Sequence, residues 1–272
     1  MPAPEISVIL CTRDNAALLA PALESLRRQT LPPEAFEIVV VDNGSGDATP
    51  EIARAFCAGF APARYVAEPV TGLAVARNTG LDAARAPVAA FLDDDAEADP
   101  GWLAALLDVY ARIPEAWAVG GAVLPIWDAP RPDWLDERYF RSLSLVEWGP
   151  VERPLAWPER VIGVNCSFRM EVFERLGRFD PDLGRMGRAL LGHEDTEIQE
   201  RIHGLGKKVM YTPAAVVRHH VPAWRMTREY FERRHQGAAV SQRIMDLRRA
   251  GREAEALALA DQARREGGRA ED

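Results

Sequence analysis

The sequence predicts an α/β fold in which a mainly parallel central sheet is flanked by helices and followed by a C-terminal helical extension. Short apolar runs rich in β-branched residues recur at residues 5–11, 36–41 and 87–92, and segments of helical periodicity separate them. Strands that alternate with helices in this way form parallel sheets covered on both faces. The chain has 272 residues, 47% of them apolar, which is enough for the core of one large α/β domain.

The first hundred residues carry the clearest alternation. The strand at 5–11, "EISVILC", ends at the polar "TRDN", and the helical pattern "AALLAPALESLRRQT" follows it. The strand at 36–41 ends at Asp42 and a Gly/Ser/Asp loop, and a second helix is expected to begin near Thr49. The remaining elements of this half are a brief strand at 64–67, a helix at 73–85 and a strand at 87–92.

The second half of the chain has weaker periodicity. We expect helices over "GWLAALLDVYARI", "EVFERLGRFD" and "HEDTEIQERIHGLG", strands over "AWAVGGAVL" and "VIGVNCSF", and one or two strands in "KKVMYTPAAVVRHHV". Residues 226–266 are predicted to be mostly helical, and the tail "REGGRAED" is predicted to be disordered.

Two segments of the second half lack a regular pattern. Residues 125–160 are rich in Pro, Trp and Arg and are interpreted as an irregular insertion that forms part of a binding wall. Residues 181–192, "PDLGRMGRALLG", contain three glycines and are predicted to be mobile. In the C-terminal helices the apolar pattern of residues 228–248 indicates packing, and four arginines there are interpreted as solvated charge: Arg233, Arg234, Arg248 and Arg249.

Composition excludes several classes of function. The formal net charge of −8 argues against a general polyanion-binding surface, so nucleic acid is not an expected partner. The three cysteines, Cys11, Cys57 and Cys166, form neither a disulfide framework nor a zinc motif, which fits a reducing compartment. No run of about 18 apolar residues and no signal-peptide pattern is present, and we therefore expect a soluble, cytoplasmic protein.

Acidic residues follow two of the predicted strands. Asp42 comes after one, and Asp93, Asp94 and Asp95 in "FLDDDAE" come after another. Ligands of such sheets bind beyond the carboxyl ends of the strands, and Mg²⁺ and Mn²⁺ prefer oxygen ligands. The alternative is an acidic loop that caps the helix beginning near Pro100. Alternating side chains in an extended segment would let Asp93 and Asp95 converge while Asp94 points elsewhere.

Five separated segments together resemble the family 2 glycosyltransferases, inverting enzymes with the GT-A (nucleotide-diphospho-sugar transferase) fold. They are "VILCTRDN", "VVVDNGSGDAT", "GLAVARNTGLDAA", "FLDDDAE" and "GHEDTEI", and they occur in the family's order between residue 6 and about residue 220. The first resembles the family's opening strand and loop, the second its "VDDGSTD" stretch and the third its "G-x-x-x-A-R-N-x-G" helix. The fourth is similar to its D-x-D motif, and the fifth to its acidic E-D motif.

The resemblance implies a role for each matched residue. Thr12 and Arg13 match the loop that meets the nucleobase, and Asp42 matches a carboxylate that hydrogen-bonds the base or ribose. Arg77 matches a residue near the nucleotide. The acidic matches are Asp93 and Asp94 for the ribose or donor sugar, Asp95 for the metal, Asp195 for the catalytic base and Glu194 for the acceptor side. His219 matches a metal-shell histidine, and its neighbour His220 stays open as the alternative.

Each of these residues also has a structural interpretation that requires no ligand. Asp42 caps the turn "NGSGD", Arg77 is a solvated helix residue, and Glu194 and Asp195 compensate the dipole of a first helical turn. An isolated histidine such as His219 is more often structural than a metal ligand. The tryptophans of the insertion, at 127, 134, 148 and 157, either stack on sugar rings or anchor the core, and we favour the second role.

The resemblance also implies the reaction and the partners. We expect a divalent metal (Mn or Mg), a nucleotide-diphosphate sugar donor, and a saccharide, lipid-linked or small-molecule acceptor, with Asp195 as base of a single displacement that inverts the anomeric carbon. Peripheral membrane contact and a homo-oligomer remain open. The expected catalytic domain spans residues 1–222, with a donor half to about 124 and an acceptor half from about 125, and residues 223–272 form the extension.

Departures from the family pattern limit these expectations. Cys11 stands where many relatives have proline and Arg13 where an aromatic residue is frequent, so the donor nucleotide is not fixed. The Q-x-x-R-W motif of processive synthases is absent, which favours transfer of one or a few sugars. The rival functions are a retaining transferase of the same fold, a degenerate sugar-nucleotide-binding protein and, less favoured, a nucleotidyltransferase, because no glycine-rich loop follows the first strand.

Overall fold

A computed structural model of the chain describes residues 3–186 and 190–268. The strands are β1 (Ile6–Thr12), β2 (Phe36–Asp42), β3 (Ala63–Ala67), β4 (Val88–Asp93), β5 (Ala96–Ala98), β6 (Ala116–Gly120), β7 (Val123–Trp127), β8 (Arg153–Pro154), β9 (Asn165–Arg169), β10 (Lys208–Tyr211) and β11 (Val217–Val221). The helices are α1 (Ala16–Arg27), α2 (Thr49–Gly59), α3 (Leu73–Ala83), α4 (Trp102–Arg112), α5 (Met170–Leu176), α6 (Glu194–Gly204), α7 (Arg228–Arg249) and α8 (Glu253–Gly268). Two 3₁₀ helices cover Glu137–Leu143 and Ala223–Met226.

The larger sheet has eight strands in the order β3-β2-β1-β4-β9-β6-β10-β8, and the smaller has three in the order β5-β11-β7. Strands β3, β2, β1 and β4 pair in parallel, whereas β9 runs antiparallel to both of its neighbours. The register places Thr12 opposite Asp42, and Cys11 opposite Asp93. The α/β fold is therefore confirmed, and its parallel part brings the predicted acidic residues to one edge.

Both faces of the larger sheet are buried by helices. Val8 and Leu10 of β1 belong to a core cluster shared with α1 and α4, whereas Ile9 belongs to a second cluster shared with α3, α5 and α6. Successive residues of a strand point to opposite faces, so a strand covered on both sides is apolar throughout. A side chain at Gly80 would overlap Ile9, so glycine allows α3 to lie directly on β1.

The segment "AWAVGGAVL" differs from its prediction as one strand. It forms β6 in the larger sheet and β7 in the smaller one. A Cβ atom at Gly121, between the two strands, would overlap the carbonyl group of Ala215. The first strand therefore ends where the chain around Ala215 approaches it. The apolar pattern of "AWAVGGAVL" does not predict this break, because the contact comes from elsewhere in the sequence.

The insertion at residues 125–160 is more ordered than its composition predicts, because it contains part of β7, a 3₁₀ helix and β8. Trp127, Trp134 and Trp148 pack against the first core cluster, which confirms their role as core anchors. Trp157 is 44% exposed and is the exception.

The C-terminal helices pack on the segment that precedes α6. Leu183 is buried in a cluster with apolar residues of α7 and α8. Arg248 of α7 forms ion pairs with Asp180 and Asp182, so its interpretation as solvated charge is wrong. Of the segment predicted to be mobile, residues 187–189 lie outside the described residues, and residues 181–186 are mostly buried or half-buried.

Two further predictions concern the chain's end and the membrane. Helix α8 continues to Gly268, so the tail predicted to be disordered is helical over its first four residues, and residues 269–272 lie outside the described part. Within the described ranges, no helix has both the length and the apolar character needed to cross a bilayer.

Candidate active site

A cavity of about 410 Å³ opens at the carboxyl edge of the parallel strands. Nine of the ten residues predicted from the sequence line it: Thr12, Arg13, Arg77, Asp93, Asp94, Asp95, Glu194, Asp195 and His219. They come from the ends of β1 and β4, from α3, from the first turn of α6 and from β11. The fold thus brings together side chains that are up to about two hundred positions apart in sequence.

Asp42 is the residue that does not line this cavity. Its Oδ2 accepts a hydrogen bond from the hydroxyl of Tyr65 (2.6 Å), and its Oδ1 accepts one from the backbone N–H of Ser45 (3.0 Å). It borders a separate depression beside Arg54 and Glu68. In this structure Asp42 therefore fixes the loop after β2, as the structural alternative predicts.

The three consecutive aspartates, Asp93, Asp94 and Asp95, which we name the aspartate cluster, have different partners. Asp93 Oδ1 accepts a hydrogen bond from Arg77 Nη2 (3.1 Å), and Asp94 Oδ2 accepts one from the hydroxyl of Thr12 (2.6 Å). Burial and the neighbouring charge of Asp95 raise the pKa of Asp94 to about 7, and the Thr12 hydrogen bond offsets only part of that rise. Asp94 faces the cavity along with its neighbours, contrary to the expectation from strand alternation. The bend into β5, which belongs to the other sheet, ends that alternation.

Asp95 lies between an imidazole and a guanidinium. Its Oδ1 is 3.2 Å from His219 Nε2, and its Oδ2 is 3.0 Å from Arg225 Nη2. Burial opposes ionisation of this carboxyl group, yet His219 and Arg225 outweigh burial and hold its pKa well below the ordinary value. Asp95 is therefore a carboxylate whose charge is already shared by a cation.

The two adjacent histidines lie on opposite sides of β11. His219 is 2% exposed, faces Asp95, and its Nδ1 lies 3.0 Å from the carbonyl oxygen of Leu143. His220 instead has its two ring nitrogens 3.2 Å from Asp128 and 3.2 Å from Glu97, and it does not line the cavity. Of the two candidates, only His219 is placed beside the aspartate cluster.

Arg77 joins the aspartate cluster to the acidic pair of α6. Its Nη1 donates to Glu194 Oε1 (2.7 Å), and its Nη2 donates to Asp93 and to the carbonyl oxygen of Gly163 (3.1 Å). Arg77 is 2% exposed, which rules out the solvated-residue alternative. Burial raises the pKa of Glu194, and the charge of Arg77 counteracts that rise only in part.

Asp195 differs from Glu194 in both exposure and contacts. Its Oδ2 accepts a hydrogen bond from the backbone N–H of Gly163 (2.7 Å), and its Oδ1 has only a longer contact, 3.3 Å, with the hydroxyl of Thr196. No arginine binds it directly among the residues that the structure describes, whereas Glu194 is occupied by Arg77. Asp195 therefore lines the cavity as a carboxylate without an arginine partner in the described structure, and its Oδ1 has only the long contact with Thr196.

Sequence reasoning missed several arginines of the cavity. Arg141, Arg160, Arg185 and Arg225 had no predicted role, and Arg234 was interpreted as solvated charge. Arg234 is instead half-buried and donates to the carbonyl oxygen of Leu190 (3.1 Å). No motif marks these positions, because a single arginine in a loop or on a helix has the same local pattern whether it faces solvent or a cavity.

The side chains around Asp95 provide only some of the ligands that a divalent cation needs. Across the described portions of the chain, no three acidic, histidine or cysteine side chains converge closely enough to hold a metal ion. Asp95 Oδ1 and His219 Nε2 do converge, 3.2 Å apart, and carboxylate and imidazole groups are both ligands of divalent metal ions. These ions commonly retain sites for phosphate oxygens and water, so a pair of protein ligands fits an ion shared with a diphosphate.

Comparisons with known proteins point to one family. The family model described as glycosyl transferase family 2 matches residues 7–177. The chain is 28% identical over 246 residues to the glucosyl-dolichyl phosphate glucuronosyltransferase of Haloferax volcanii, covering 89% of this chain and 78% of that protein. It is 31% identical over 258 residues to the succinoglycan biosynthesis protein ExoM of Rhizobium meliloti, covering 90% and 78%.

Solved structures show the same fold. The mannosyltransferase PcManGT from Pyrobaculum calidifontis, in complex with GDP-Man and Mn²⁺, superposes with a TM-score of 0.66 at 24% identity, covering 100% of this chain and 77% of that one. The GT-A expectation is thereby confirmed. With the family model spanning more than half of its length, the chain belongs to glycosyl transferase family 2.

Proposed function

We propose that this glycosyltransferase transfers a sugar from a nucleoside-diphosphate donor to an acceptor hydroxyl by a metal-assisted single displacement, with inversion at the anomeric carbon and Asp195 as the base. The observation that carries the proposal is the shared cavity, in which the cluster of Asp93, Asp94 and Asp95 and the carboxylate of Asp195 face the same space. A donor and an acceptor held there would lie between a site for the leaving group and a base.

The donor side is assigned to the residues around Asp95. A divalent ion bound there with the diphosphate would stabilise the negative charge that develops on the leaving group. Asp95 and His219 are the residues that would hold it. Arg225 contacts both of these residues, with Nη2 3.0 Å from Asp95 Oδ2 and Nη1 3.2 Å from His219 Nε2. It supplies a positive charge beside the proposed ion and is suited to a phosphate oxygen.

Asp195 is assigned as the base because, within the described residues, it is the carboxylate of the E-D pair that has no arginine partner. The Gly163 N–H holds Oδ2 of this cavity-lining side chain, and Oδ1 accepts only the long contact, 3.3 Å, from the Thr196 hydroxyl. A general base must lie within hydrogen-bond reach of the proton that it removes, and a group already bound to a guanidinium is a poor candidate. Glu194 is therefore assigned a positioning role: it fixes Arg77, which in turn fixes Asp93.

Different parts of the chain supply the two sides of the proposed site. Residues 1–124 supply Thr12, Arg13, Arg77 and the aspartate cluster, and form the donor half of the proposed catalytic domain. Residues 125–222 supply the E-D pair and His219, and the helices beyond residue 222 add Arg225 and Arg234 to the cavity wall.

The test is release of nucleoside diphosphate from a panel of sugar nucleotides, with Mn²⁺ or Mg²⁺ and a mixture of saccharide acceptors. We expect turnover with one donor and a loss of kcat of at least about a hundredfold in Asp195→Asn, because removal of a general base costs that much. Nucleotide binding by Asp195→Asn should be unchanged. Turnover by Asp195→Asn at the wild-type rate would contradict the assignment of the base, and absence of turnover with every donor would favour a binding protein.

A further inference from the structure

The cavity concentrates positive charge in a chain whose formal net charge is −8. Seven arginines line it, and three of them have carboxylate partners: Arg13, Arg77 and Arg225. Four have no carboxylate partner among the described residues, and we name them the base-side arginines: Arg141, Arg160, Arg185 and Arg234.

The base-side arginines have few protein acceptors for their N–H groups. Arg160 makes one long contact, 3.4 Å, with the carbonyl oxygen of Pro158. Arg234 donates from Nη1 to Leu190, and its buried Nε has no hydrogen-bond partner in the described structure. A guanidinium carries five N–H donors, and a buried donor without an acceptor is costly. Arg160 and Arg234 are therefore short of acceptors that a bound molecule would supply.

Arg160 and Arg234 lie on the Asp195 side of the cavity. Arg160 is three residues before Gly163, whose backbone N–H binds Asp195 Oδ2. A Cβ atom at Gly192, three residues before Asp195, would lie 3.2 Å from Arg234 Nη2. Burial lowers the pKa of both Arg160 and Arg234, and the neighbouring arginine lowers each further. Arg77 and Arg225, in contrast, directly bind Asp93 and Asp95 of the aspartate cluster.

The local charge is not balanced by the protein. Glu194 is already paired with Arg77, and Arg141 is exposed to solvent. The single charge of Asp195 is therefore set against the half-buried guanidinium groups of Arg160, Arg185 and Arg234. Like charges held together are unfavourable unless an opposite charge shares them. A phosphate group supplies more than one negative charge and several acceptor oxygens, and the planar guanidinium fork binds it in a bidentate manner. A ligand with a single carboxylate would bind one guanidinium group and would leave the other guanidinium groups without a negative charge.

We propose that the acceptor is a phosphate-bearing saccharide, whose phosphate group is held by the base-side arginines while its hydroxyl lies at Asp195. The proposal rests on the proposed function, because it names the acceptor class of that same site. A soluble sugar phosphate and a saccharide linked to a lipid through phosphate present the same chemistry to these arginines.

The test is a binding titration with the donor side filled by a saturating nucleoside diphosphate and Mn²⁺. The probe is glucose 1-phosphate, and its neutral counterpart is methyl glucoside. The variants are Arg160→Gln and Arg234→Gln, with Arg112→Gln as the matched control. Arg112 is a surface arginine paired with Glu152 outside the cavity. Nucleoside diphosphate binding by each variant shows that the variant is folded and that its donor side is intact.

We expect glucose 1-phosphate to bind the wild type, methyl glucoside to bind at least about tenfold more weakly, and each cavity variant to lose about tenfold in affinity for the phosphate. Arg112→Gln should behave as the wild type. A second arm uses polyprenyl-phosphate glucose in phosphatidylcholine vesicles. Binding in that arm alone, with the same dependence on Arg160 and Arg234, would support the proposal and identify a lipid-linked source.

Failure of both arms, or equal affinity in wild type and cavity variants, would overturn the phosphate proposal. Failure of the proposed function gives a different pattern. In that case no nucleoside diphosphate binds the wild type, and the same phosphate titration performed without nucleotide still reports whether Arg160 and Arg234 hold the anion.

Discussion

Arg77 Nη1 lies 2.7 Å from Glu194 Oε1 across 117 positions of sequence, and both side chains are buried. The second terminal nitrogen of the same guanidinium binds Asp93. One arginine therefore ties the aspartate cluster to the acidic pair of α6, and sets the distance between the two halves of the site.

Replacement of Arg77 should affect both folding and turnover. Arg77→Met leaves Glu194 buried without its cation, and breaking a buried pair by removing one partner costs about 3–5 kcal/mol. We expect a loss of that size in the free energy of unfolding measured with urea, and loss of sugar transfer. The matched control is Arg175→Met, which removes an exposed pair with Glu171 and should cost less than about 1 kcal/mol. Equal losses in the two variants would contradict this account of Arg77.

Asp95 should be required for binding of the nucleoside diphosphate together with metal. A ligand that binds only the folded state raises the melting temperature, by roughly 5 °C or more at a hundredfold excess over Kd for a chain of this size. We expect one diphosphate with Mn²⁺ to produce such a shift in the wild type, and Asp95→Ala to lose most of it. Asp128→Ala, which removes a partner of His220 outside the cavity, is the control. The same shift in Asp95→Ala as in the wild type would refute the assignment.

Glu37 should make the free energy of unfolding depend on pH. Burial would raise the pKa of Glu37, but hydrogen bonds from Arg64, Ser7 and Arg85 outweigh burial and lower it from 4.5 to about 2. A carboxyl group with a depressed folded-state pKa adds stability above its unfolded pKa, and loses it as the pH falls through the folded value. We expect Glu37→Gln to cost about 2 kcal/mol at pH 7. That cost should shrink between about pH 4.5 and pH 2.

Urea unfolding of both proteins across that pH range checks the Glu37 prediction. Glu171→Gln, which removes an exposed carboxylate from its pair with Arg175, is the control and should show little change. A difference between wild type and Glu37→Gln that stays constant from pH 7 to pH 2 would show that the charge of Glu37 does not contribute.

Asn165 should be the most sensitive polar residue at the junction of the two sheets. It is fully buried; its Oδ1 accepts from Trp102 Nε1 (2.8 Å), and its Nδ2 donates to the carbonyl oxygens of Ala122 (3.0 Å) and Ala215 (2.8 Å). Asn165→Leu leaves these groups without partners, and we expect a loss of about 3 kcal/mol or more in the free energy of unfolding. The exposed Gln262→Leu serves as control; a loss below about 1 kcal/mol in Asn165→Leu would contradict the prediction.

Local pattern is sufficient to predict which edge of the sheet carries the aspartate cluster. Strands β1, β2 and β4 are apolar because both faces are covered, and their parallel register follows from the alternation with helices. The pairing of β1 with β4 sets Cys11 opposite Asp93 and so brings Thr12 to Asp94. The place of Asp195 in the first turn of α6 is predicted separately, by the acidic residues that open the helical segment "HEDTEIQERIHGLG".

Features that depend on long-range packing were not predictable. The sequence favours His219 over His220 only by resemblance. The pairing of β11 with β5, which sets His219 opposite Ala96, distinguishes them. Gly121 ends β6 because Ala215 approaches it from another segment. Arg160 and Arg234 resemble solvated charges in sequence, because burial is a property of the folded chain.

The measurement that tests the central claim most directly is the anomeric configuration of the product, determined by proton NMR on the reaction of the wild-type protein with the donor it accepts. A single displacement with Asp195 as base predicts that the transferred sugar has the configuration opposite to that in the sugar nucleotide. Retention of the donor's configuration would contradict the mechanism, because it requires a second displacement or a leaving group on the same face as the acceptor.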